Sequence, residues 1–193
     1  MGGIRLMSTS WKVMESVALA PSVVVETAGR YLERLTGHGP WVLTATGYVD
    51  GEQWSWPTDV SSAYRSPTLR FDFELTAELE DLSGTAVVDS DQEIEDDGSP
   101  VPGRAFVEVI AARDQVSAVV SLSVALGIFQ LSGGDFSGTG FDTWYERSDL
   151  PQVLNLFPPV DGDGSRALGE SISRVARVLR LDSPPLQGRP MDR

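Results

Sequence analysis

The sequence predicts an α+β domain: an antiparallel or mixed sheet with helices packed on one face, built on a ferredoxin-like β-α-β-β-α-β core with an enlarged hairpin region. Three observations predict it. Residues 11–19 and 68–75 alternate apolar and polar side chains, the period of a half-buried strand. Residues 22–36 and 165–181 repeat apolar side chains every three or four positions, the period of a helix lying on a core. Runs of adjacent strand-like segments lie between the helical ones, which suits hairpins more than single crossovers.

The elements follow in order. In SWKVMESVAL, Trp11, Val13, Val17 and Leu19 share one parity, and Glu15 is the exception. Pro21 and Ser22 open a helix, with the Ser22 hydroxyl expected to cap its free N–H groups. Val24, Ala28, Tyr31, Leu32 and Leu35 form its apolar stripe, Glu26 and Arg30 pair on the wet side, and Gly37 ends it. WVLTATGYV is a β-branched and aromatic strand, Asp50–Gly51 a hairpin turn, and EQWSW the returning strand. Pro57 cannot donate to a ladder, so this strand ends there or lies at an edge.

Residues 58–67 read as loop. TLRFDFEL then places Leu69, Phe71, Phe73 and Leu75 on one face and Arg70, Asp72 and Glu74 on an open polar face. DSDQEIEDDGSPVPG, with two prolines and no apolar period, reads as an acidic loop over 89–103, and RAFVEVIAA as the next strand. Residues 115–131 satisfy both a period of two and the length of a helix. Helix is preferred, because so long a strand is unusual and Gly133–Gly134 suits a helix C-terminus. FSGTGFDTWYE reads as a strand, 149–164 as irregular with a short helical turn, and 165–181 as the last helix. Residues 1–182 are thus expected to form one domain, and 183–193 a flexible tail.

Composition excludes several functions. Apolar residues make up 41% and charged residues 22%, as in a folded protein rather than a disordered chain. There is no cysteine, which removes disulfides, thiolate metal sites and thiol nucleophiles. MGGIRLMSTSW lacks the apolar run of a signal peptide and the hydroxyl residue of a myristoylation site, and a cytoplasmic protein is expected. The most apolar stretch, 116–131, is short for a membrane span. Lys12 is the only lysine, which reads as the coding bias of a GC-rich genome.

The net charge is −13 and unevenly spread: residues 50–97 hold 14 Asp and Glu against Arg65 and Arg70 alone. Such a field repels nucleic acid and anionic membranes and attracts cationic partners. Acidic surfaces also serve plain solubility.

The motifs of chemistry are missing. Gly138 and Gly140 begin a GxGxxG spacing, but Thr143 stands where the third glycine belongs, and the order of strand and helix around it is reversed. These glycines read as punctuation between elements. His38, the only histidine, sits in a turn, and no GxSxG nucleophile elbow occurs. The acidic stretches beginning at Asp89 and Asp161 both fail the calcium-loop pattern, with Ile94 and Arg166 at the glycine position. Carboxylates are so many that no glycosidase pair is specified. No catalytic residue, metal or cofactor is assigned.

The positive features favour recognition. Trp54 and Trp56 share a strand face near Tyr48, and such rings can anchor a protein partner or stack a sugar. Core packing is the plainer account of them. The expected function is a non-catalytic acidic protein that docks a basic protein, for example an inhibitor or immunity protein, with no nucleic acid or membrane partner. Trp54, Trp56 and Tyr64 are the expected anchors, and Asp91, Glu93, Glu95, Asp96 and Asp97 the steering charges. The layout resembles that of many bacterial immunity proteins, with no motif that names a family. The alternatives are an enzyme or small-ligand protein using carboxylates in a pocket between sheet and helices, and a subunit of a larger assembly.

Overall fold

The architecture comes from a computed structural model, which describes residues 10–15, 19–49, 51–58, 71–94, 100–112, 114–138, 143–157, 167–179 and 189–190. Strand β1 (Ser10–Glu15) leads to helix α1 (Pro21–Thr36). Pro21 occupies the first turn, where its missing N–H costs nothing. The residue before it, Ala20, is the N-cap and makes no side-chain cap bond. Ser22 therefore lies inside the helix rather than capping it, because proline starts the helix one position earlier than expected. Gly37, at φ 71°, closes α1 with its N–H on the Glu33 carbonyl.

Strands β2 (Val42–Val49) and β3 (Glu52–Trp56) form the expected hairpin, with Val49 opposite Glu52 and Gly51 at φ 81°. Strand β4 (Phe71–Leu79) runs beyond its expected end. It turns at Glu80 and Asp81 into β5 (Leu82–Ile94), a strand the sequence reading did not assign. Glu80 makes that turn at φ 57°, a conformation in which Gly or Asn is the usual signal, so the hairpin carried no turn signature. The core face of β5 starts with Leu82 but continues through the small Gly84 and Ala86 to Val88, a weak apolar pattern.

β5 pairs with β6 (Pro100–Ala111), which corrects the acidic loop expected over 89–103. Residues 89–94 and 100–103 are strand, with a register shift between Gln92 and Ile94. Polar side chains on a strand with one wet face imitate a loop in sequence. Helix α2 (Gln115–Ser132) follows, capped by Asp114 and ended by Gly133 at φ 69°. Then come β7 (Phe136–Gly138), β8 (Thr143–Trp144), a 3-10 turn (Arg147–Asp149), α3 (Leu150–Asn155), α4 (Leu168–Leu179) and β9 (Arg189–Pro190). Residues 189–190 of the expected tail pair with β8.

The sheet has seven strands in the order β3-β2-β4-β5-β6-β1-β7, every neighbouring pair antiparallel, and β3 is an edge as Pro57 implied. It is open and wider than the four strands of the expected ferredoxin-like core. One face is covered: α1 and α2 pack together, α2 touches β1, β5 and β6, and α4 packs on both helices. This explains why α2 is apolar all round and lacks a helical stripe. It is long and apolar enough to cross a membrane by length and composition, yet 72% of that stretch is buried within the fold.

Aromatic side chains tie the layers together. Trp11 stacks on Phe136 at 5.5 Å and donates its indole N–H to Ser121 Oγ on α2 at 3.3 Å. Phe129 stacks on the same ring at 5.1 Å. Tyr31 on α1 donates its hydroxyl to Gln130 Oε1 at 2.8 Å, and burial pushes its pKa up, opposed by the nearby Arg34 and Arg30 guanidinium groups.

Hydrogen bonds and close backbone contact join α2 to β5. Asp114 Oδ1 accepts from the Ser117 N–H at 2.7 Å, Asp114 Oδ2 from the Ser117 hydroxyl at 2.6 Å, and Ser117 Oγ accepts from the Thr85 N–H at 2.9 Å. Gly84 is required beside it, because a Cβ there would sit 2.7 Å from the Ser117 nitrogen and 2.8 Å from the Val116 carbonyl carbon.

Candidate functional site

Alternation assigns each strand residue to one of two faces. Trp11, Val13, Ala45, Val49, Phe71, Phe73, Leu75, Ala86, Val88, Val107 and Val109 are buried beneath the helices. The residues between them form the opposite face, left uncovered by the described helices α1, α2 and α4, and the register of the seven strands places them in rows. One row crosses the whole sheet: Gln53, Tyr48, Asp72, Asp89, Glu108, Lys12 and Ser137, each directly opposite the next. The adjacent row runs Ser55, Thr46, Glu74, Val87, Ile110. Beyond it lie Thr44, Thr76 and Thr85, and then Val42, Glu78 and Ser83.

Three carboxylates of the first row, Asp72, Asp89 and Glu108, therefore stand on three neighbouring strands. At the usual strand spacing they lie within about 10 Å of one another. Like charges directly opposite each other cost a sheet stability. Glu74 and Glu78 add to the same face, and among its described side chains Lys12 is the cation. The helical side is balanced instead: the exposed residues of α1 include Glu26 and Glu33 with Arg30 and Arg34.

Large apolar groups accompany the charge. Tyr48 is 58% exposed, Val42 62% and Val87 39%. Tyr48 borders a shallow concavity of about 390 Å³. Thr46 and Tyr48 from β2 and Asp72 and Glu74 from β4 stand around it, with Gln53 and Val87 on the flanking strands. Its floor includes Gly47 and Phe73, where the two strands approach closely: a Cβ on Gly47 would lie 2.5 Å from Phe73 Cα.

The residues expected to bind a partner are placed differently. Trp54 and Trp56 do share a face, but it is the covered one, opposite Gly47 and Ala45. Trp54 is 0% exposed, with its ring edge-on to Phe73 at 5.5 Å, so it offers no surface anchor. Trp56 is half-buried against the same core. Tyr48 lies on the opposite face from both, so the expected three-ring platform does not exist.

Asp91 and Glu93 belong to β5, with Asp91 opposite Phe106, and their side chains fall outside the described ones. Tyr64, Glu95, Asp96 and Asp97 lie outside the described residues. Of the acids brought together, Asp72, Glu74 and Glu108 were legible singly as polar positions on strands, whereas Asp89 read as part of a loop. Their adjacency needed the pairing of β5, whose existence the sequence did not signal.

Other chemistry finds little support. Among the described residues, no three His, Asp or Glu side chains converge as metal ligands. His38 sits half-buried in its turn, its backbone carbonyl accepting from the Trp41 indole N–H at 3.1 Å. Set against models of protein families, curated proteins and solved structures, the chain matches none.

Proposed function

We propose that this is a non-catalytic acidic recognition protein that docks a basic protein partner, in the manner of an inhibitor or immunity protein, through the uncovered face of its sheet. The observation that carries the proposal is the row Asp72–Asp89–Glu108, in which like charges oppose one another on three adjacent strands. A cationic surface laid over that row would meet three neighbouring carboxylates at once. The negative face accelerates encounter over a distance set by ionic strength. Tyr48 and Val87, apolar and exposed beside the carboxylates, supply area that gains from desolvation once contact is made. The strand order β7-β1-β6-β5 with α1 and α2 is itself read as a ferredoxin-like plan, widened by the insertion of β2, β3 and β4.

The test uses the protein as bait in its host extract, beside the triple variant Asp72→Asn, Asp89→Asn, Glu108→Gln. The proposal expects a cationic protein that the wild type captures, that rising salt releases, and that the folded triple variant binds at least tenfold more weakly. A partner held equally by both baits, or indifferent to salt, refutes it.

A further inference from the structure

We propose that the concavity beside Tyr48 is a subsite for an arginine side chain of the partner. The inference rests on the reading that the uncovered face docks a basic protein, and goes further by naming the group recognised and where it sits. Three features select a guanidinium. First, Asp72 and Glu74 stand two residues apart on one face of β4, both exposed, so two carboxylates border one cup of about 390 Å³. A planar fork with five N–H donors can satisfy two such acceptors at once, whereas an ammonium is a point charge. Second, Tyr48, directly opposite Asp72, presents a largely exposed ring on which a flat cation can stack. Third, Gln53 and Thr46 add neutral oxygen acceptors at the rim, and Val87 an apolar wall for the methylene stem.

The cup is broad and shallow, as suits one side chain presented by a protein surface. A second copy of this chain is a poor occupant, since its own uncovered face carries the same negative charge.

The experiment titrates the full chain with acetylated, amidated tetra-arginine and tetra-lysine peptides. Affinity is read by calorimetry and location by amide chemical shifts. The tetra-arginine peptide should bind at least threefold more tightly than the tetra-lysine peptide, with shifts centred on Thr46, Gly47, Tyr48 and Gln53. Tyr48→Leu, which keeps bulk but removes the aromatic face, should weaken tetra-arginine binding about two- to fivefold. Tyr48→Phe should restore it, and the Leu variant should leave tetra-lysine binding unchanged. Far-UV circular dichroism of each variant confirms the fold. Equal affinity for the two peptides, indifference to Tyr48→Leu, or shifts centred elsewhere overturns the subsite. If tetra-arginine binding persists in that case and is still weakened by salt and by Asp89→Asn with Glu108→Gln, the acidic docking face stands without the subsite. If neither peptide binds at low ionic strength, both fall.

Discussion

Asp114→Ala tests how the helical layer holds the sheet. Asp114 is the N-cap of α2, and its carboxylate takes both the backbone N–H and the hydroxyl of Ser117. Loss of an N-cap acceptor costs about 0.5–2 kcal/mol. The Ser117 side chain is buried, so its hydroxyl proton is also left without the acceptor it had, a further penalty of about 1 kcal/mol. The expected total is about 1.5–3 kcal/mol.

Ser117→Ala removes the same hydroxyl and also orphans the Thr85 N–H, which donates to it. The two residues act through one network, so the double variant should cost at least 0.5 kcal/mol less than the sum of the singles, a coupling of roughly the size expected for residues in contact. Urea unfolding followed by tryptophan fluorescence gives all four stabilities, with an unchanged slope required for the comparison. A loss below about 0.5 kcal/mol for Asp114→Ala, the lower bound for a cap, refutes the network as an anchor. Strict additivity refutes its connectedness. The anchor matters to the candidate site because β5 carries both Val87 and Asp89.

Other outcomes follow from single features. Gly84→Ala should destabilise by about 1–3 kcal/mol, since its Cβ meets helix backbone that must shift, and a shortfall in thermal melts would mean α2 gives way freely. Trp54→Ala should cost about 3–5 kcal/mol. Trp54→Phe should stay folded and hold the tetra-arginine peptide within about twofold of wild type, because the ring is core and not surface; a larger change in affinity contradicts that placement. Tyr31 has a raised pKa in the fold, so its contribution is fully present below the unfolded value near 10 and is lost as pH climbs through the folded value. Tyr31→Phe should therefore flatten the decline of stability above pH 10 relative to wild type, at a cost of about 1 kcal/mol below it for the lost hydrogen bond to Gln130; parallel pH profiles would refute this.

Local periodicity determined much of the architecture. The apolar stripe of α1, the β2–β3 hairpin announced by the dipeptide Asp50–Gly51 in the sequence, and the apolar stretch ended by Gly133 each carry their signal within a few residues. Where the signal was not local, the reading failed. The Glu80 turn uses a left-handed residue with no glycine to announce it, so β5 went unassigned and its acidic end read as loop. Alternation established that Trp54 and Trp56 share a face, but not which face lies under the helices. A clue was present: a two-residue turn at Asp50–Gly51 puts Trp54 opposite Gly47, which leaves room for an indole within a core.

The amino-acid sequence by itself determined the α+β class, the main helices, the excess of negative charge and the lack of any cysteine chemistry. Only the tertiary structure decided which charges are neighbours. Asp72, Asp89 and Glu108 are far apart along the chain and become one row through strand pairing, a long-range register that no local pattern encodes. It also decided that Tyr48 faces outward and Trp54 inward, because a strand is symmetric about its plane until helices cover one side.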